Sequence, residues 1–236
     1  MTLDLCIPTF NEADVIRPSI LKLRDVLNRV PGLSWRILVA DNGSTDSTAE
    51  IVRMMEQPNV EVIVIPERGK GRAVRIASRL SSADLFGFID ADLSCDPNVI
   101  PAMLLELITS DVVTGSRLLD PKTVRRGTLR TLSSRAFNVA CEQILKIPVR
   151  DVQCGMKVMN ARARAILAEG KEDGWFFDAE FLAASASRGL KIKELPVAWD
   201  EFPYPNRTSK LSMGTGALQV LPALLRIKKR LRALSS

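Results

Sequence analysis

Leu85-Phe86-Gly87-Phe88-Ile89-Asp90-Ala91-Asp92 decides how this chain is read. An unbroken apolar run predicts a strand buried on both faces, and two carboxylates follow it at once. In an open parallel sheet, ligands bind beyond the carboxyl ends of the strands. The same arrangement recurs upstream. Leu3–Pro8 runs into Pro8-Thr9-Phe10-Asn11-Glu12, and Trp35–Ala40 into Asp41-Asn42-Gly43-Ser44-Thr45-Asp46. Val60–Ile65 is followed by Arg68-Gly69-Lys70-Gly71. Helical stretches separate these strands. Ile16, Ile20, Leu23, Leu27 and Val30 recur at helical spacing, and Ser47-Thr48-Ala49-Glu50 reads as a capping box. Asp96-Pro97 supplies an N-cap and first-turn proline for a helix through Ile108, and Asp111–Gly115 is another strand. The alternation predicts an α/β fold with a mostly parallel sheet covered by helices on both faces.

Beyond Gly115 the pattern is less regular. Thr128–Lys146 and Phe177–Arg188 read as helices, Asp151–Met159 as a loop and short strand, and Leu190–Trp199 as extended chain. Glu201–Met213 is a polar loop with Pro203 and Pro205, and Leu218–Leu234 is a basic amphipathic helix. The simplest division is one domain over 1–213 and a C-terminal amphipathic helix over 214–236.

Composition narrows the chemistry. The 236 residues include no His, which excludes Ser-His-Asp and Cys-His relays, imidazole bases and His-ligated zinc within the chain. The net charge of +6 is unevenly laid out. Phe202–Ser236 holds seven bases and no acid, and Gly115–Arg150 holds eight bases against Asp120 and Glu142, which leaves the remainder acidic. Two basic stretches on an acidic body point to an anionic partner. Cys6, Cys95, Cys141 and Cys154 are scattered without a CxxC, which predicts reduced thiols in a cytosolic protein. The start, MTLDLCIPTF, has no secretory leader pattern, and no apolar run reaches membrane-spanning length.

Two carboxylates as close as Asp90 and Asp92 repel unless a cation sits between them. A hard divalent ion, Mg²⁺ or Mn²⁺, completed by diphosphate oxygens and water, suits such all-oxygen ligation. Arg68-Gly69-Lys70-Gly71 lacks the P-loop spacing, and no GxGxxG is present. Glycines flanking Lys70 still let backbone N–H groups approach a phosphate. Asp41 can accept hydrogen bonds from a base or ribose hydroxyl.

CIPTFNE, VADNGSTDST, RGKGRA and IDADLS resemble the nucleotide-sugar half of inverting family-two glycosyltransferases with the GT-A fold. Gly115-Ser116-Arg117, Asp151-Val152-Gln153-Cys154-Gly155-Met156-Lys157, Trp175-Phe176-Phe177-Asp178-Ala179-Glu180, Val197-Ala198-Trp199 and Thr208-Ser209-Lys210-Leu211 resemble polyprenyl-phosphate (dolichyl-phosphate) glycosyltransferases. The resemblance implies a nucleotide-sugar donor of UDP-glucose or GDP-mannose type, bound by Pro8, Phe10, Glu12, Asp41, Lys70, Asp90 and Ala91. Asp90 and Asp92 would carry Mg²⁺ or Mn²⁺. Ser94 stands where family members often use Gln on the metal. Arg117, Arg130 and Ser134 match the residues that grip the acceptor's phosphate. Asp151, Gln153 and Lys157 would face the donor sugar or its leaving phosphates, and Arg207 and Lys210 would close over the donor.

The implied reaction suits a chain without His. A phosphate acceptor arrives already anionic, so the protein must position it and neutralise the departing diphosphate. Two basic amphipathic helices, Thr128–Lys146 and Leu218–Leu234, are candidates for peripheral contact with the cytosolic face of a membrane. No nucleic-acid recognition motif accompanies them. Two other enzymatic readings stay open. One is a glycosyltransferase with a soluble hydroxyl acceptor, for which Asp178 or Glu180 would be the base. The other is a nucleotidyltransferase.

Overall fold

The chain alternates between sheet and helix up to a point where the strand order reverses, and that point fixes where a ligand can bind. The computed structural model describes residues 1–125, 127–201 and 213–233, with side chains except for 128–130 and 213–218. The first half comprises β1 (Thr2–Thr9), α1 (Ala13–Asn28), β2 (Ser34–Asn42), α2 (Thr48–Met54), β3 (Val60–Ile65), α3 (Lys70–Leu80) and β4 (Leu85–Ile89). The second half comprises α4 (Ile100–Glu106), β5 (Val112–Ser116), β6 (Val124–Arg125), α5 (Thr128–Leu145), β7 (Met156–Asn160), α6 (Ala161–Glu169), α7 (Phe177–Ser187), β8 (Ile192–Pro196), β9 (Trp199–Asp200) and α8 (Met213–Ala233).

Seven strands form the main sheet in the order β3-β2-β1-β4-β7-β5-β8, and β6 and β9 pair separately. All neighbours in the main sheet are parallel except β7, which runs antiparallel to both β4 and β5. The mostly parallel sheet with helices on both faces agrees with the sequence reading. Along β1, Leu3, Leu5 and Ile7 enter one core while Cys6 enters the other, and β2 divides likewise between Ile37 and Val39 on one side and Leu38 and Ala40 on the other. This period-two division explains why the strands read as nearly continuous apolar runs: both faces are covered, and Arg36 on β2 pairs with Asp4 on β1 and Glu61 on β3. The first two strand connections step outward from β1 through β2 to β3, whereas α3 carries the chain back to β4 on the other side of β1. The crevice between the ends of β1 and β4 is therefore the topological switch point.

Local details depart from the sequence reading at several places. Ser47 precedes α2 but makes no side-chain cap bond; the N–H of Thr48 is taken by Asp46 Oδ1 at 3.0 Å. The shorter Asx geometry of Asp46 wins because its carboxylate reaches the N–H two residues ahead. Asp96 caps a single 3-10 turn, Pro97–Val99, before α4 begins. Helix α6 was not anticipated; its short, Ala- and Arg-rich sequence gives little apolar periodicity, and Asn160 caps it by accepting from the Ala163 N–H at 3.1 Å. Helix α8 packs against α5 and α7, with Ala223, Leu224 and Ile227 buried.

Candidate active site

The site is assembled from the strand ends at the switch point. The pleat of β4 stops at Ile89: the Leu93 N–H donates to Asp90 O at 3.0 Å, and Leu93 has a φ of 48°. Asp90 and Asp92 thus sit on a tight turn rather than on the continuing strand that their spacing suggests. Asp92 Oδ1 accepts from the Ser94 N–H at 3.1 Å, and the Ala91 carbonyl is held by Ser19 Oγ at 2.6 Å. Ser94 is itself buried, and its carbonyl accepts from the Asp200 N–H at 2.9 Å.

Lys70, the first residue of α3, reaches across to Asp90, with Nζ 2.5 Å from Oδ1. Burial alone would push the Lys70 ammonium down, but Asp90, Asp178 and Asp92 outweigh it and hold the group above the usual lysine value. The ammonium also lies 4.9 Å from the centroid of Trp175 and 5.8 Å from that of Phe177. One fixed cation at the N-terminus of a helix, facing a carboxylate turn, is an arrangement suited to a diphosphate bridged to a divalent ion. The donor set is all oxygen, which fits Mg²⁺ or Mn²⁺. Among the described residues no group of three or more His, Cys, Asp or Glu side chains converges.

The β1 and β2 ends form the other wall. Asp41 is buried and accepts from Ser44 Oγ and from Thr9 Oγ1, the latter at 3.4 Å. Asn42 donates to the Thr9 carbonyl at 2.6 Å and accepts from the Gly69 N–H at 2.9 Å, tying the ends of β1 and β2 to the Lys70 turn. Pro8 is buried in β1, and Phe10 carries the Arg68 guanidinium 4.0 Å above its ring. The Glu12 N–H donates to Thr48 Oγ1 at 2.8 Å, which anchors the start of α1. Asn42 was quoted in its motif without a role, and its side chain is what joins the motifs.

Three residues expected to meet substrate have other partners. Arg117 is 6% exposed, and its fork is closed on Asp151, with Nε to Oδ2 at 2.7 Å and Nη2 to Oδ1 at 2.6 Å. The Arg117 N–H adds a third bond to the same carboxylate, and the guanidinium lies 4.7 Å from the Trp199 ring centroid. Burial opposes both charges, yet the pair holds Arg117 above and Asp151 below its ordinary value. The Arg117 fork, expected on a phosphate, is thus closed on Asp151. Lys157 is fully buried and places Nζ on the Val152 and Cys154 carbonyls and on Asp178 Oδ1, at 3.0, 2.8 and 2.6 Å. All three of its protons are used, so it braces the Gln153–Gly155 loop from beneath.

Asp178 and Glu180 are likewise committed. Burial pushes Asp178 up against the opposing pull of Lys157 and Lys70. Glu180 Oε2 accepts the Lys171 and Glu172 N–H groups at 2.8 and 2.7 Å. Neither carboxylate is presented as a base, and a Glu180→Gln variant tests the loop it holds rather than the acceptor. Gln153 Nε2 is 3.5 Å from the Trp175 carbonyl, and Ser134 is buried in α5. Arg130 lies in α5 with its side chain outside the described residues, as do Arg207 and Lys210 entirely.

Gly155 is a site residue that the sequence quoted without a role. Its carbonyl accepts from the Asp90 N–H at 3.1 Å, extending the β4–β7 ladder by one bond. A Cβ at this position would fall well inside contact distance of Asp90 Oδ2. Gly155→Ala is therefore expected to turn Asp90 away from Lys70 and to lower turnover on the order of 10²-fold, the cost of misplacing a reacting group by an ångström. Steady-state transfer assays on folded variant protein check this, and wild-type turnover would contradict it.

Comparison with known proteins identifies the family and the fold. The profile of Glycosyl transferase family 2 matches residues 4–166. The chain is 30% identical over 202 residues to "Glycosyltransferase AglD" of Haloferax volcanii, covering 82% of this chain and 32% of that protein. It is 28% identical over 211 residues to "Dolichyl-phosphate beta-glucosyltransferase ALG5C" of Trichomonas vaginalis, covering 83% of this chain and 63% of that one. The chain thus spans less than two thirds of the length of either relative. Among solved structures, glucosyl-3-phosphoglycerate synthase from Mycobacterium tuberculosis, in complex with Mn²⁺, UDP and phosphoglyceric acid, superposes with a TM-score of 0.70 at 22% identity. That match covers 96% of this chain and 78% of the other, and it establishes a shared fold. The chain belongs to glycosyl transferase family 2.

Proposed function

We propose that this family-two glycosyltransferase moves a hexose, with inversion, from a nucleotide diphosphate sugar of UDP-glucose or GDP-mannose type to a polyprenyl phosphate at the cytosolic face of a membrane. The observation that carries this reading is Lys70 held on Asp90, beside Asp92, at the switch point between β1 and β4. Asp41 and the Pro8–Glu12 segment line the wall proposed for the nucleoside. Lys70, placed by its contact with Asp90, would offset the negative charge that grows on the leaving diphosphate. Mg²⁺ or Mn²⁺ bound through Asp90 and Asp92 would supply further positive charge to that leaving group. Arg130 and Ser134 are proposed to hold the acceptor phosphate. Arg117 is closed on Asp151 as part of a buried pair, and Arg207 and Lys210 are proposed to close on the donor.

Two lines support a lipid acceptor. One is the likeness to a dolichyl-phosphate glucosyltransferase. The other is an apolar surface on helices that pack together: Leu132 and Val139 on α5 are 66% and 56% exposed, and Leu221 and Leu225 on α8 are 56% and 51% exposed. With Lys229 and Arg232 exposed nearby in sequence, α8 has the make-up of a helix that lies in the headgroup layer. Among the described residues no helix is long and apolar enough to cross a membrane.

A soluble phosphorylated acceptor is the second reading, supported by the fold shared with a synthase whose structure contains phosphoglyceric acid. UDP- and GDP-sugars should be tested against short polyprenyl phosphates and against phosphoglyceric acid. Release of nucleoside diphosphate with glycosylated polyprenyl phosphate is the expected result. Transfer to phosphoglyceric acid alone would replace the lipid acceptor, and release of pyrophosphate would replace the reaction by nucleotidyl transfer.

A further inference from the structure

A short segment, Gly170-Lys171-Glu172-Asp173-Gly174-Trp175, crosses the start of α3 and is tethered from both sides. On the α3 side, the Asp173 carbonyl accepts from the Arg72 N–H at 3.2 Å, and its carboxylate pairs with Arg72 at 2.7 Å and with Arg75. Gly69 and Gly71 lie flat beneath it: a Cβ on either would run into the carbonyl oxygen of Asp173 or Glu172. The segment ends at Trp175, whose ring lies beside the Lys70 ammonium. From the other side comes α8. The buried Glu172 carboxylate accepts from Arg226 Nε and Nη2 at 3.0 and 2.8 Å and also pairs with Arg230, which reaches Glu180 at 3.3 Å. These cations hold the Glu172 carboxyl below its usual range against the opposing effect of burial.

Apolar packing does not press the segment into place from behind. A cavity of about 620 Å³ lies there, walled by Leu167, Phe177, Phe181 and Leu231, and neither Asp90, Asp92 nor Lys70 lines it. On that side the segment is held by Glu180, which accepts its Lys171 and Glu172 N–H groups, and by the ion pairs to α8. They form a continuous chain of contacts: α8, Glu172, the segment, the Gly69–Gly71 turn and Trp175, then Lys70 and Asp90.

We propose that Glu172 is a positioning residue that makes donor binding depend on the docking of α8. Because Glu172 touches no group assigned to the donor, its effect passes through the Lys70 turn. The inference rests on the reading of Lys70 and Asp90 as the donor diphosphate site. It gives the C-terminal helix a second role besides surface contact: a membrane or partner that draws Arg226 and Arg230 off Glu172 would loosen the donor site.

The test is titration of the full chain with UDP and with GDP in the presence of Mn²⁺, alongside donor KM and kcat. Glu172→Gln is expected to weaken nucleotide binding and raise donor KM about 5- to 20-fold, as for a moderate coupling between sites, with kcat changed far less. The double variant Arg226→Gln/Arg230→Gln should reproduce the effect and add little when combined with Glu172→Gln, since both cut one linkage. Should Glu172→Gln fail to fold, the arginine pair carries the test, because both side chains are partly exposed. Unchanged nucleotide affinity with a lowered melting temperature, or fully additive effects, would overturn the inference. Failure of the wild-type chain to bind either nucleotide would overturn the donor reading itself, and the inference with it.

Discussion

Alanine at Asp92 is expected to lower hexosyl transfer by about 10²–10³-fold, the usual loss when one preorganised charge-stabilising group is removed. The substitution leaves the Lys70–Asp90 pair in place and removes the carboxylate that accepts from the Ser94 N–H. It also halves the carboxylate oxygens that the turn offers to a divalent ion. Rates should be measured with Mg²⁺ and with Mn²⁺ over a range of concentrations, because a weakened metal site shows as a raised metal requirement. Asp90→Ala should differ in kind. It releases Lys70 as well, so donor KM should rise along with the metal requirement. Full transfer by Asp92→Ala at low metal would remove the metal-assisted reading of the turn.

Arg117→Ala is expected to destabilise the fold by about 3–5 kcal/mol, the typical cost of leaving one member of a buried ion pair without its partner. Asp151 would then be buried without the guanidinium fork, keeping only the bond from the backbone N–H of residue 117. In a chain of this size the loss corresponds to roughly 6–20 °C in melting temperature. Urea unfolding of Arg117→Ala, Asp151→Asn and the double variant should give strongly non-additive losses, since each removes the other's partner. The alternative outcome is near-wild-type stability with transfer abolished. It would return Arg117 to the acceptor phosphate and show that the Asp151 pair is exchanged for substrate.

The sheet was legible because its strands are covered on both faces, so that Leu85–Ile89 is apolar throughout and Leu3–Pro8 is broken only by Asp4, which pairs with Arg36 on β2. The polar strand ends were legible because a cluster of polar residues follows each apolar strand, although Thr9, Asp41 and Asn42 are themselves buried in hydrogen bonds there. Helix α6 was not, since its apolar stripe is a single turn, Ala163, Ile166 and Leu167, and the helix gains its place by packing on α3. The antiparallel direction of β7 was equally hidden: strand direction depends on which connection the chain takes, and Met156–Asn160 reads the same either way.

At the site, residue types identified the candidate groups but not their partners. Arg117, Asp151 and Lys157 carry the charges that substrate binding would require, yet charge in a sequence is silent about whether its counter-ion is a ligand or a neighbour. Gly155 and Glu172 show the reverse. Neither has a residue type that announces a role, and each acquires one from a contact, with Asp90 in one case and with Arg226 and Arg230 in the other.

Leu85–Asp92, on which the reading began, marks the division. Apolar periodicity, polar strand ends and the absence of His determined the fold class and the kind of chemistry, because burial and titration are properties of residue types taken in order. Which carboxylate meets Lys70, which arginine is closed on Asp151 and what holds the Lys70 turn were decided by tertiary structure. Those are pairings between residues as much as 101 positions apart, as the bond between Arg72 and Asp173 illustrates. Distance in sequence carries no record of them; the closing of the sheet and the docking of α8 create them.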